Sequence, residues 1–208
     1  GLFSKNEAKE FKALSAYDSF LSNLLSADSY LSRKMFSARF DELGDIYQKL
    51  FLMQKENVLG EWCKKNSVDF KKFKRLMDQY ASTSEAVEKH NDDYVKRHLK
   101  EDKAYLDDVL KKDDPKIRLD EEQRKVVLAD EDYTLVIAGA GSGKTTTIEA
   151  KVKYLVEKKG VDPSRVLIVS FTRKATQELK ERFERIEIPA HIATFHSIGN
   201  SLIKESDD

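Results

Sequence analysis

Turn residues are distributed unevenly along this chain, and that asymmetry limits its fold more than any other feature. Before Pro115 there are three glycines (Gly1, Gly44 and Gly60) and no proline. From Pro115 onward there are five glycines and all three prolines. A strand-rich fold needs frequent turn residues, so the first region reads as helical. Its apolar spacing agrees. Leu14, Tyr17, Leu21 and Leu24 step by three and four residues, as do Phe36, Phe40, Leu43, Tyr47 and Leu50. Phe70, Phe73, Met77 and Tyr80 repeat the pattern, and each stripe occupies one helical face. Ser82, with Glu85 three residues on, predicts a capping box. It would open a long helix over 83–110, with Val95, Leu99, Leu106 and Leu110 on one stripe. Residues 1–112 therefore read as four or five helices. Proline at 115 disfavours helical geometry at Asp114 and marks the boundary.

The period then changes. An apolar run over 133–138 ends in a glycine cluster, and a helical stretch follows over 144–158. A second buried-strand pattern covers 165–170, a helix 174–185, a short strand 191–194, and a last helix ends near 204. Alternation of strand and helix predicts βαβ units around a parallel sheet, with all strand C-termini on one edge. The expected fold class is thus α/β. A helical N-terminal region over 1–112 precedes part of a P-loop (RecA-like), three-layer αβα domain over 113–208.

Ala138, Gly139, Ala140, Gly141, Ser142, Gly143, Lys144 and Thr145 fit the Walker A pattern, with alanine at its first glycine position. An apolar strand before the loop and a helix after it are the required context. Glycines let consecutive backbone N–H groups converge on phosphate oxygens, and the helix start adds its positive dipole end. Lys144 would reach the β and γ phosphates of ATP, and the Thr145 hydroxyl would bind Mg²⁺, with Thr146 beside them. The motif alone does not choose among kinase, GTPase, ATPase and helicase.

Three further segments narrow the choice. Residues 119–127, Leu-Asp-Glu-Glu-Gln-Arg-Lys-Val-Val, lie just upstream of the phosphate loop, and Gln123 could both donate and accept at an adenine edge. After the second strand come Phe171, Thr172, Arg173 and Lys174. After the third come Thr194, Phe195, His196 and Ser197. In order, these resemble the Q motif, motif Ia and the Thr-Phe-His-Ser element of superfamily-one DNA helicases of the UvrD/Rep type. Arg173 stands where that family more often has asparagine. The resemblance covers about 117–205. It implies that Gln123 contacts adenine and that the chain's parent moves 3′ to 5′ on single-stranded DNA, with DNA repair as a family-level expectation. The residues support a nucleic-acid role without the family. Ligands of open α/β sheets sit beyond the strand C-termini, and aromatics interleaved with cations suit a single nucleic-acid strand. The plainer alternative keeps the two phenylalanines in the core and the cations solvated.

More than a hundred residues precede the Q motif, which resembles helicase IV and its relatives. RNA-polymerase-associated relatives also carry a helical N-terminal arm, so polymerase docking is an alternative partner. The plainer reading is a helical accessory domain. A P-loop phosphotransferase is the third alternative. Lys71, Lys72, Phe73, Lys74 and Arg75 form a basic cluster with one aromatic. It reads as a solvated helix face, with a nucleic-acid backbone contact as the alternative.

Composition excludes other classes. Lys plus Arg and Asp plus Glu each total 37, so any nucleic-acid site must be local. A single cysteine, Cys63, excludes an internal disulfide or a Cys-based zinc site, and the histidines lack metal-ligand spacing. Apolar runs of five or six residues are too short for a membrane span, and the charged N-terminus does not read as a signal peptide. The expected location is cytoplasmic. No apolar strand ending in Asp-Glu follows the phosphate loop; Val126 to Glu131 imitates one upstream, on the Q-motif helix. The chain therefore reads as an N-terminal piece of a longer helicase, inactive or nearly so by itself.

Overall fold

A computed structural model describes residues 8–132 and 143–205. The chain forms two compact units. The described residues of the first are 8–96 and 130–132, and those of the second are 97–129 and 143–205. The division lies sixteen residues ahead of the sequence boundary at 112/113, within a helix, so residues 97–112 pack with the second unit.

In the first unit α1 (Lys9–Ser26) buries Phe11, Leu14, Tyr17 and Leu21 against α5 (Phe70–Ala81), which contributes Phe73, Leu76, Met77 and Tyr80. Between them come α2 (Ser37–Glu42), α3 (Gly44–Lys55) and α4 (Leu59–Lys65). The 36–50 stripe is therefore split between two helices; the chain bends at Leu43, which is itself buried. Tyr80 organises the centre. Its ring stacks on Phe40 at 4.5 Å and meets Tyr17 edge-on at 5.3 Å, and its hydroxyl donates to the Phe40 carbonyl at 2.7 Å. Burial pushes its phenol up to about 12.

Ser82 does not start a capping box. It closes α5 with bridge-region backbone angles (φ −91°, ψ 12°), its N–H bonding the Asp78 and Tyr80 carbonyls. An N-cap needs extended geometry, which Ser82 lacks. The next helix, α6 (Thr83–Glu101), follows at once. Its buried Asn91 grips an otherwise irregular segment: the Leu31 N–H donates to Oδ1 at 2.8 Å, and Nδ2 donates to the Leu31 carbonyl at 3.0 Å. Orphaning those two backbone groups costs about 1–3 kcal/mol apiece if water stays out. Asn91→Ala is therefore expected to lower unfolding stability by about 2 kcal/mol, measurable by urea titration. An unchanged midpoint would mean that water replaces the amide.

The predicted helix over 83–110 is broken at Asp102, and α7 (Lys103–Asp108) is a separate turn-and-a-half. In the second unit, α8 (Glu121–Leu128) carries a capping box: the Gln123 N–H donates to Asp120 Oδ1 at 2.8 Å, and the Asp120 N–H donates back to Gln123 Oε1 at 2.9 Å. Of the strand-like segment from Val126 to Glu131, only Val126–Leu128 are helical, with Val127 and Leu128 fully buried; α8 ends there and Ala129 is extended. α8 packs along α9 (Lys144–Glu157).

The strand expected over 133–138 lies outside the described residues. The other two are β1 (Leu167–Ser170) and β2 (His191–Thr194), joined by α10 (Arg173–Arg185) and followed by α11 (Phe195–Glu205). They pair in parallel, with Leu167 opposite His191 and Ser170 opposite Thr194. Parallel neighbours need a crossover, and α10 supplies it, burying Leu179 and Phe183 against Val152, Ile168, Ile188 and Ile192. The second unit is thus an α/β fragment of P-loop type. Among the described residues no helix is long and apolar enough to cross a membrane.

Candidate nucleotide and nucleic-acid site

The phosphate-loop helix begins where the sequence places it. Gly143 is the N-cap of α9 in left-handed geometry (φ +81°), and Lys144 and Thr145 are the first two helical residues, both half-buried. Thr147 closes the turn: its N–H and its hydroxyl both donate to the Gly143 carbonyl at 2.9 Å. The N–H groups of a first helical turn have no intrahelical acceptor, and they face outward at the positive end of the dipole. Thr146 is buried, so its side chain packs inward. Ala138, Gly139, Ala140, Gly141 and Ser142 lie outside the described residues.

Gln123 is brought to this helix start from twenty residues upstream. Its Nε2 lies 3.5 Å from the Gly143 carbonyl, and a Cβ on Gly143 would fall 2.6 Å from the same nitrogen. The positive φ is what requires glycine at 143; a Cβ there would also push aside the flexible end of Gln123. The Gln123 carboxamide spends one acceptor position on the α8 cap and one donor on Gly143. A primary amide has two of each, so one acceptor and one donor remain for an adenine edge. The cap has the sequence signature Asp-x-x-Gln over Asp120 to Gln123. This geometry fits ATP with Mg²⁺: a left-handed glycine at the helix start, a first helical turn whose N–H groups lack intrahelical acceptors, a lysine, a hydroxyl and unspent amide positions on Gln123.

The second part of the site is built by strand register. Because Ser170 pairs with Thr194, the next residues, Phe171 and Phe195, emerge side by side. Their ring centroids are 4.7 Å apart with planes at 31°, and they stay 82% and 55% exposed. Two large rings that touch each other and water, rather than the core, form a platform. Thr172 and Thr194 do local work. The Thr172 hydroxyl accepts the Ala175 N–H at 3.1 Å and caps α10. The Thr194 hydroxyl accepts the Ser197 N–H at 3.2 Å, and the Ser197 hydroxyl accepts the Thr194 N–H at 3.1 Å. The spacing of Ser197 from Thr194 is that of a reciprocal cap.

Arg173 and Lys174 are the first two residues of α10, both exposed, with no acidic residue in that turn. Cations there oppose the helix dipole, which is unfavourable unless an anion joins them. His196 is exposed in the first turn of α11.

Beneath the site, α9 is tied down by buried charges. Glu149 meets Arg182 at 3.0 Å, and Lys153 meets Asp113 at 3.0 Å. Lys151 donates to the carbonyls of Val127 and Ala129. Burial raises the Glu149 carboxyl above its ordinary range; Arg182 opposes that shift and Asp113 adds to it. At the far end Tyr154 donates to Asp102 at 2.9 Å, and Asp102 also meets His98 Nδ1 at 3.0 Å and Lys158 at 3.3 Å. Burial alone would raise the Asp102 carboxyl, but the hydrogen bonds from His98, Tyr154 and Lys158 hold it below its ordinary range.

Known proteins resemble the same stretch. A probable DNA helicase II homologue of Mycoplasma capricolum is 47% identical over 90 residues, 41% of this chain and 12% of that protein. A probable DNA helicase of Mycoplasma pneumoniae is 40% identical over 93 residues, 42% of this chain and 17% of its own length. The ATP-dependent DNA helicase PcrA of Staphylococcus aureus is 37% identical over 92 residues, again 42% of this chain and 12% of the relative. The chain therefore spans less than a fifth of the relatives it matches. Residues 119–208, which carry the glutamine, the phosphate-loop helix and the aromatic pair, match the UvrD/REP helicase N-terminal domain family.

Proposed function

We propose that the protein couples ATP binding at Gly143, Lys144 and Thr145 to a grip on single-stranded DNA at Phe171, Arg173, Lys174, Phe195 and His196. On this reading it serves a UvrD-type DNA helicase that moves 3′ to 5′. The observation that carries the reading is the Phe171–Phe195 pair: two exposed, touching rings set by strand register beside two cations at a helix start. Base stacking on aromatics and phosphate contact by cations are the two needs of a single strand. Lys144 would hold the β and γ phosphates and Thr145 the Mg²⁺, while Gln123 offers its free amide positions to the base. The names of the relatives, a probable DNA helicase II homologue and an ATP-dependent DNA helicase, support the same assignment.

The test is oligothymidine binding by fluorescence anisotropy. Each ring removed from a stacked base costs about 1–3 kcal/mol, roughly 5- to 150-fold in affinity. Phe171→Ala with Phe195→Ala is expected to weaken binding at least tenfold while leaving nucleotide affinity unchanged. Equal affinity for the oligonucleotide would overturn the platform. In the intact protein, unwinding is expected from a 3′ single-stranded tail; unwinding from a 5′ tail alone would overturn the direction.

A further inference from the structure

The basic cluster of the first unit is rearranged by its helix. Phe73, the aromatic within the run, is fully buried, stacked on Trp62 at 5.4 Å and beside Phe11 at 5.8 Å. Lys72 turns back over the Phe11 ring at 5.1 Å. What remains outward is a different set. At 100° per residue, Phe70, Lys74, Asp78, Lys71 and Arg75 fall along one arc of about 140°. Phe70, expected in the core stripe, is instead 44% exposed.

The charge on this arc is poorly compensated. Three helical lysines elsewhere are paired at i±4: Lys89 with Asp93 at 2.9 Å, Lys103 with Asp107 at 2.6 Å and Lys125 with Glu121 at 3.1 Å. Lys71 instead has Arg75 at i+4, a like-charge spacing that destabilises a helix. Among the described residues neither has a carboxylate partner, and Lys74 reaches Asp78 only at 3.4 Å. α4 ends on two more exposed lysines, Lys64 and Lys65, the first paired with Glu61. Over 61–80 there are six cations against three carboxylates, in a chain that is neutral overall. A local rule is thus broken with no gain in packing, which is what a binding surface does.

We propose that Phe70, Lys71, Lys74 and Arg75 form a second surface for single-stranded nucleic acid. It lies on the first unit and is independent of the Phe171–Phe195 platform. The cations take backbone phosphates and Phe70 offers a face to one base. A single strand offers both complements at once, phosphates for the cations and unstacked base faces for the ring. The proposal stands whether or not the second unit binds DNA.

The experiment uses the full chain carrying Phe171→Ala and Phe195→Ala, so that the other platform is removed. Its residual oligothymidine binding is measured against salt. Adding Lys71→Glu and Arg75→Glu is expected to weaken that binding at least tenfold and to flatten the log–log salt slope by about 1.4, at ~0.7 per phosphate on a single strand. Phe70→Ala is expected to weaken it about fivefold or more with the slope unchanged. Lys71→Glu alone separates function from folding. It creates a Glu-to-Arg i,i+4 pair, so the thermal midpoint should hold or rise while binding falls. Residual binding unchanged by these substitutions would overturn the proposal. So would tighter binding to phosphatidylserine vesicles or to polyglutamate than to the oligonucleotide at equal salt. Failure of the Phe171–Phe195 reading would appear separately, as wild-type affinity in the parent double variant.

Discussion

Lys144→Ala is expected to abolish ATP turnover in the intact protein. Lys144 is the first residue of α9, directly after the left-handed Gly143, so its ammonium starts from the point where the helix N–H groups and dipole converge. A transferring phosphoryl group is stabilised almost wholly by such preorganised charge. Removing one donor of this kind costs about 10²- to 10³-fold in turnover. Oligothymidine affinity without nucleotide should be unaffected, because the aromatic platform is set by strand register and not by α9. Steady-state ATP hydrolysis with and without single-stranded DNA checks both halves. Undiminished DNA-stimulated turnover in the variant would sink the nucleotide assignment.

Asp102→Ala has the largest expected effect on stability. The carboxylate is 9% exposed and holds three groups at once, two of them on the last turn and end of α9. Its loss removes the acceptor of the buried Tyr154 hydroxyl, the partner of His98 Nδ1 and the ion pair with the part-exposed Lys158. Removing one member of a buried charged set costs about 3–5 kcal/mol. The pH dependence gives a check on the cause. The folded carboxyl lies below its ordinary value, so its contribution is full above the unfolded aspartate range and is lost as pH falls through the lower folded value. The stability gap between parent and variant should therefore be widest at neutral pH and close in acid. Glu149 runs the other way, since its raised carboxyl makes the ionised form the costly one. It is common to both proteins and drops out of the difference. Chemical denaturation at several pH values measures the gap; a pH-independent gap would assign Asp102 a packing role only.

Much of the architecture was legible because it is local. Apolar residues at three- and four-residue steps mark a buried face wherever the chain is helical, so α1, α5, α9 and α10 lie close to where the spacing puts them. Short apolar runs bounded by turns located β1 and β2 for the same reason. The long helix over 83–110 shows where locality fails. Nothing in the stripe of Leu99 and Leu106 announces that Asp102, between them, answers to Tyr154 and Lys158, fifty residues away. A proline reports where a helix must stop and not which core the preceding turns join, so residues 97–112 group with the second unit although they precede Pro115.

The candidate site divides along the same line. By itself the sequence determined that a glycine-rich run precedes α9, that Lys144 and Thr145 begin that helix, and that an aromatic follows each of β1 and β2. Residue type and spacing alone decide those features. Only the tertiary structure decided which of these groups meet. The parallel register of Ser170 with Thr194 sets Phe171 against Phe195. The packing of α8 on α9 carries Gln123 to Gly143. The angle at which α5 meets α1 buries Phe73 and leaves Phe70 outside. Periodicity names the face that a residue occupies, but the partner on that face comes from chain closure over tens of residues.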